Sequence, residues 1–275
     1  MRGRENLAPT VARPLFGKIM IQIGICSYSF HRLLEAGKQD MFAYITDCKR
    51  LGCTQLDPWN EHFASTDDAY IAKVNEAAKR AELPFGLIAV DGGHIYEPTA
   101  EARAAKRKNA YQWIEISRKL GAKQIRLDAG GTAAMPAEEF EIIVAGFEDL
   151  KKRCRDAGLE LVMENHFGVS IIPDNVVRIC ETTGIGLLLD SFNWAKGKEA
   201  EGWIKCAKYA KACHIKAFAF ADDGEELTTN VAAFVKLMKQ AGYRGAWSVE
   251  SVPIDGDEMG AAQKTIALIR RHVGG

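Results

Sequence analysis

The sequence predicts an α/β protein built as a single-domain (β/α)8 TIM barrel, and three observations carry that expectation. Short apolar runs alternate with amphipathic stretches eight times in strict order, and such alternation implies a parallel sheet. The 275 residues suit one barrel, a fold that takes roughly 250 residues. An open doubly wound sheet usually carries a glycine-rich phosphate loop after its first strand. Here that position reads GICSYSFHRLLEAG, with no GxGxxG.

The predicted strands are IMIQIGIC (19–26), TQLDPW (54–59), FGLIAVDG (85–92), QIRLDAG (124–130), LELVMENH (159–166), IGLLLDS (185–191), CHIKAFAF (213–220) and GAWSVES (245–251). Each is short and rich in aliphatic or aromatic residues, and many follow a Gly or Pro. Helical spacing marks the stretches between them. MFAYITDCKRLG (41–52) ends at glycine, a helix stop signal. The stretch 67–83 begins with acids and ends with bases, matching the helix dipole. Residues 102–121 give the longest pattern, and 140–158 again stops at glycine. PDNVVRICETTG (173–184) opens with Pro and Asp, a favoured helix start. The last three are 201–212, 230–242 and 260–273.

Residues 1–18 carry three arginines and two prolines but no apolar run. They are expected to form a disordered N-terminal extension rather than a secretory leader, leaving 19–275 as the barrel. No stretch approaches the roughly 20 apolar residues of a membrane span. Hydrophobic residues make up 47% and charged residues 26%, an ordinary soluble balance. The 36 basic and 36 acidic side chains cancel, so nothing favours nucleic acid or an anionic membrane surface. Seven cysteines, an odd number with no CxxC, read as small buried hydrophobes of a cytoplasmic protein.

In a barrel, chemistry sits at the C-terminal ends of the strands. Glu164 and His166 close the fifth predicted strand, Asp190 the sixth and Glu250 the eighth, while His214 opens the seventh. Strand alternation puts Glu164 and His166 on one face and Asn165 on the other. Three carboxylates and an imidazole make a mainly oxygen site for one divalent ion. Mn2+ is favoured, with Mg2+, Co2+, Zn2+ or Fe2+ as alternatives. Without a cation, three inward carboxylates repel and desolvate one another at a cost of several kcal/mol.

These residues and the phrases around them, ENHFGVSIIPDNVVRICETTG, GLLLDSFNW, HIKAF and WSVES, resemble the sugar phosphate isomerase/epimerase superfamily. These are the xylose isomerase-like TIM barrels, of AP endonuclease family 2 type. The resemblance covers nearly the whole chain from Met20. It implies that Glu164, Asp190, His214 and Glu250 hold the metal and that Glu164 and Glu250 serve as acid and base. The implied activity is a sugar isomerase or epimerase of carbohydrate metabolism, acting on a ketose or keto-sugar through a metal-stabilised enediolate. The same enolisation serves a lyase or dehydratase acting on a keto-sugar, keto-glycoside or keto-inositol. A DNA-repair endonuclease of the same lineage needs a three-zinc cluster, and six histidines with zero net charge speak against it. A non-catalytic partner subunit is the remaining class, and a homo-oligomer is compatible with all of them.

Five further residues are expected to meet the small carbohydrate substrate. His166 follows Glu164 on the same face. Lys216 shares the face of His214 and suits a carbonyl, hydroxyl or phosphate. Asn193 follows Asp190 by three, His94 follows the third strand in VDGGHIY, and Trp59 in LDPWN offers a stacking wall. Cys26, Ser27 and Tyr28 end the first strand near the rim. The loop after His214, KAFAFADDGEE, lacks an arginine for phosphate, and its Phe218 and Phe220 suit a bulkier, aromatic or glycosidic substrate.

Overall fold

The computed structural model describes residues 21–274. The expected extension over 1–18, and positions 19 and 20 of the first predicted strand, lie outside the described residues. Seven strands form one parallel sheet: β1 (Ile23–Ile25), β2 (Leu87–Val90), β3 (Gln124–Leu127), β4 (Glu160–Glu164), β5 (Gly186–Asp190), β6 (Ala210–Ala217) and β7 (Trp247–Ser251). They are ordered β1-β7-β6-β5-β4-β3-β2. The gap between β1 and β2 is filled by residues 54–59, the second predicted strand. This segment touches both neighbours through single parallel bridges, Cys26 to Asp57 on one side and Leu56 to Phe85 and Trp59 to Ala89 on the other. The curled sheet therefore closes as a TIM barrel.

The eighth strand is reduced to isolated bridges for a local reason. Pro58 has no N–H to give to a ladder, and Asp57 turns into the barrel. Asp57 Oδ1 accepts from Gln55 Nε2 (2.7 Å) and from the Leu87 N–H (3.0 Å). A Cβ on Gly24 would lie 1.8 Å from Asp57 Oδ2, so glycine at that point of β1 makes the room. Tyr44 ties the seam from outside: its hydroxyl donates to the Ile25 carbonyl (2.7 Å) and accepts from the Asp57 N–H (2.9 Å).

The helices are α1 (His31–Glu35), α2 (Met41–Leu51), α3 (Asp68–Ala81), α4 (Ala100–Leu120), α5 (Ala137–Asp156), α6 (Pro173–Thr183), α7 (Glu199–Cys206), α8 (Val231–Gln240) and α9 (Glu258–Gly274). Their signals act as the sequence suggests. The Asp40 carboxylate accepts from the Phe42 and Ala43 N–H groups to start α2, and Gly52 ends it at φ 74°. Two features depart from expectation. The short α1, with the 3-10 turn Ser27–Phe30 before it, adds helical turns to the eight amphipathic stretches that the sequence predicts. The seventh helix also stops at Cys206, so β6 begins at Ala210 and His214 sits inside that strand rather than opening it.

Alternation along the strands divides two cores. Leu87, Ala89, Val162, Leu188 and Ala212 pack together inside the barrel. Residues of opposite parity, such as Leu161, Met163, Leu187, Leu189, Ile215 and Val249, join the larger core beneath the helices. Extending the inward parity toward the strand ends reaches Arg126 and Asp128, Glu164, Asp190, His214 and Lys216, and Glu250. All seven cysteines are buried free thiols, matching the small-hydrophobe reading. No helix among the described residues is long and apolar enough to cross a membrane.

Candidate active site

The inward ends of β4 to β7 converge. Glu164, Asp190, His214 and Glu250 each bring a ligand-type atom to within 4.8 Å of the others, and all four are buried. Sheet register sets this proximity, because Asp190 lies opposite His214 across β5 and β6 while Lys216 lies opposite Glu250 across β6 and β7. His214 Nδ1 stands between the two glutamates, 3.2 Å from Glu164 Oε1 and 3.0 Å from Glu250 Oε2. Asp190 is fixed at both ends. Its Oδ1 accepts from the Phe192 (2.7 Å) and Asn193 (2.9 Å) N–H groups, the turn-capping role that Asp often takes. Its backbone pairs with the Asn165 side chain at 2.8 and 3.0 Å, which is the work of the one residue of ENH that faces away.

Each glutamate has its own buried cation. Arg126 Nε lies 3.0 Å from Glu164 Oε2, and Lys216 Nζ lies 2.7 Å from Glu250 Oε2 and 3.6 Å from Asp190 Oδ2. Burial alone raises a carboxyl pKa. At Glu164 that effect is overcome by Arg126 and then His214, and the group is held below its ordinary value. At Glu250 Lys216 and His214 do the same more strongly. Asp190 has the weaker cationic support, so burial together with Glu250 and Glu164 pushes it up to about 6. Burial opposes charge on His214, but Glu250 and Glu164 outweigh it and raise the imidazole to about 10.

This chemistry fits a divalent cation. The carboxylates meet where positive charge is drawn in, and Asp190 Oδ2 is buried without a hydrogen-bond partner. Three oxygens and one imidazole nitrogen form a hard, mainly oxygen donor set, compatible with Mn2+ or Mg2+ and also with Zn2+ or Co2+.

Above the cluster lies a cavity of about 340 Å³ lined by residues that include Tyr28, Trp59, Asp91, Arg126, His166, Asn193, Lys216 and Glu250. Of the four clustered residues, Glu250 is the one on its wall. Trp59, His166, Asn193 and Lys216 all line it. Asn193 Nδ2 is buried without a partner. His166 is not free: its Nδ1 lies 3.1 Å from Asp128 Oδ2. Burial works against its charge, yet Asp128 and then Glu164 raise it to about 9. His94 lies elsewhere. It does not line the cavity, because the chain turns at Gly92 (φ 73°) and sends the imidazole to Glu97 Oε1 (2.7 Å) and the edge of Phe167. Phe218 lines the cavity, packed edge-on to Phe192, whereas Phe220 lies outside it in a neighbouring groove.

Three residues of this site were not picked out from sequence: Arg126, Asp91 and Asp128. Arg126 Nη1 reaches Asp91 Oδ1 and Asp128 Oδ2, both at 2.8 Å. Asp91, Asp128 and His166 also bring ligand-type atoms within 4.8 Å of one another, but the guanidinium already supplies the cation there. A signal is present: Asp91 follows the apolar run LIAV, and Arg126 and Asp128 alternate at the end of β3.

A closed parallel barrel with acids and a histidine gathered at the C-terminal strand ends defines a class of protein, and sequence comparison agrees. The model of the xylose isomerase-like TIM barrel family matches residues 45–272, and the chain belongs to that family. No curated protein matches the sequence. Among solved structures, the apo 3-keto-D-glucoside 4-epimerase from E. coli superposes with a TM-score of 0.74 at 14% identity, over 92% of this chain and 100% of that one. A D-allulose 3-epimerase from Methylomonas sp. in complex with D-allulose gives 0.72 at 16%, over 92% and 97%. The IOLI protein with a bound zinc atom gives 0.74 at 14%, over 92% and 99%. At these identities the likeness is one of fold.

Proposed function

We propose that this protein is a divalent-metal-dependent sugar isomerase or epimerase acting on a ketose or keto-sugar, with Glu164, Asp190, His214 and Glu250 as metal ligands. The convergence of those four side chains, one of which, Glu250, lines the cavity, carries the reading. The structural neighbours named as epimerases of allulose and of a keto-glucoside, and the one with bound zinc, support it. When bound, the ion supplies a Lewis acid that polarises a carbonyl and acidifies the adjacent C–H. Glu250, on the cavity wall, takes that proton. Glu164, protonated for the return step, gives a proton back, and the two glutamates reset by exchange with water. Return to the opposite face of the same carbon gives the epimer, and return to the neighbouring carbon gives the isomer. His166, Asn193, Lys216 and Trp59 orient the substrate. The barrel over 19–275 is the catalytic unit, in a cytoplasmic protein that works on a small carbohydrate rather than nucleic acid.

A second reading rests on the asymmetry of the two glutamates. Glu164 is 1% exposed, whereas Glu250 faces the cavity with the Lys216 ammonium 2.7 Å away. That pair suits β-elimination. Glu250 removes the α-proton, the C–O bond at the β-carbon breaks, and the departing hydroxyl takes a proton from Lys216 to leave as water.

Two measurements test these readings. Mass spectrometry after Mn2+ reconstitution is expected to show about one ion per chain, lost in Asp190→Ala; no specific ion would remove the metal-dependent mechanism. Incubating free ketoses and 3-keto-glycosides in D2O and following them by NMR separates the outcomes: deuterium at an epimerised or isomerised carbon for the first reading, a dehydrated product for the second. Full turnover in both Glu164→Gln and Glu250→Gln would end both.

A further inference from the structure

Asp91 lines the cavity, and every polar group of that residue is fixed. Its N–H donates to Asn60 Oδ1 (2.8 Å). Its carbonyl accepts from Asn60 Nδ2 (3.3 Å) and Asn109 Nδ2 (3.2 Å). Oδ1 accepts from Arg126 Nη1 (2.8 Å) and Oδ2 from Trp59 Nε1 (2.8 Å). Still, the carboxylate is not sealed: its side chain is 39% exposed and it lines the cavity. An ionised carboxylate accepts about four hydrogen bonds, so each oxygen keeps a lone pair for a ligand. The Tyr28 and Trp59 rings, edge to face with centroids 5.1 Å apart, line the same cavity.

Charge decides what such a cavity can take. The two permanent cations of the wall are both committed, Arg126 to Asp91, Asp128 and Glu164 and Lys216 to Glu250 and Asp190. His166 is bound to Asp128. An entering phosphate or carboxylate would meet Asp91 with no unpaired cation to receive it, whereas a hydroxyl donates to Asp91 directly.

We infer that Asp91, with Trp59 and Tyr28, is the specificity subsite of this cavity, and that it selects a neutral polyhydroxylated ligand by accepting hydrogen bonds from a vicinal diol while an aromatic ring covers the C–H face. The inference rests on reading the cavity as the substrate site. It makes the substrate an unphosphorylated sugar or glycoside whose diol end lies at Asp91 and whose carbonyl end lies at Glu250.

The test is equilibrium binding by isothermal titration on the full chain loaded with Mn2+, using D-fructose, methyl 3-keto-glucoside and D-fructose 6-phosphate up to about 100 mM. A neutral probe is expected to bind at least tenfold more tightly than the phosphate ester, and Asp91→Asn is expected to weaken it at least tenfold. Trp59→Phe, which keeps the ring and removes the N–H that holds Oδ2, is expected to weaken it several-fold. Equal or tighter binding of the phosphate ester to the wild type overturns the inference without any variant. So does unchanged affinity in Asp91→Asn, or binding of none of the neutral probes. Binding without turnover would sink the enzymatic reading and leave this one standing; turnover with Asp91→Asn unaffected would do the reverse.

Discussion

Replacing Arg126 with methionine removes the most heavily used cation of the site, and the structure sets the size of the effect. The guanidinium is 4% exposed. It contacts the Val90 carbonyl at 3.0 Å, Asp91 and Asp128 at 2.8 Å, and Glu164 at 3.0 Å. Methionine keeps much of the volume and none of the donors, so Asp128 and Glu164 are left buried with only the imidazoles of His166 and His214 beside them. Breaking a buried ion pair from one side costs about 3–5 kcal/mol. Asp91, being partly exposed, adds little, because water takes over from the guanidinium. For a chain of this size about 1 kcal/mol moves Tm by roughly 2–4 °C, so the melting point is expected to fall by roughly 6–20 °C. Urea unfolding followed by tryptophan fluorescence in excess chelator gives the first number. Repeating it in Mn2+ is expected to shrink the loss, because a divalent charge beside Glu164 replaces part of what Arg126 supplied. Adding Glu164→Gln to Arg126→Met is expected to recover at least about 1 kcal/mol in chelator, since one orphaned charge is then gone. An Arg126→Met protein within about 1 kcal/mol of wild type, with no recovery in the double variant, would refute the assignment of Arg126 as counter-ion to the cluster.

Two other consequences concern the barrel itself. His62 is 1% exposed against Tyr44, and burial lowers its imidazole to about 4. It is neutral in the fold but takes a proton on unfolding, so the stability it contributes is complete above about pH 6.5 and drains away as the pH falls toward 4. The gap is worth at most about 3 kcal/mol, and His62→Leu is expected to flatten the decline in urea stability measured between pH 7 and 4.5; an unchanged decline would show that other groups control it. At the seam, Tyr44→Phe deletes both the bond to the Ile25 carbonyl and the acceptor for the Asp57 N–H. Two buried backbone groups then lose their partner, a loss of about 1–3 kcal/mol each at most. Hydrogen exchange should quicken at Asp57 before it does in β4–β6, and uniform exchange would contradict that order.

The readable parts of the fold were those where one signal governed. The aliphatic runs of β4, β5 and β7 end in acids, and an acid at the end of a buried strand has few uses besides ligation, capping or pairing. Asp190 does two of these at once, capping its turn through Oδ1 and offering Oδ2. Where two signals competed, the boundary slipped. KYAKA before His214 has helical composition, yet the chain there is strand from Ala210, because pairing with β5 outweighs the weak local preference. LDPW reads as a strand by its apolar residues, but Pro58 breaks the ladder and leaves single bridges.

Arg126, Asp91 and Asp128 show what a stricter use of alternation can recover. Inward parity is a property of the whole barrel, not of the strands that carry recognisable motifs. Once Glu164 is inward, register fixes the neighbour: Arg126 lies across from Val162, two residues short of Glu164 on the same face. An arginine at that place in QIRLD cannot reach solvent along the sheet, so it must find carboxylates on the strand ends beside it. Asp91 ends the adjacent strand and Asp128 follows Arg126 by two. A buried arginine flanked by three acids on successive strands is thus derivable from parity and from the cost of an unpaired buried charge. His94 has no such constraint. It lies beyond two glycines, where strand parity no longer applies, and Glu97 three residues on offers it a partner outside the cavity.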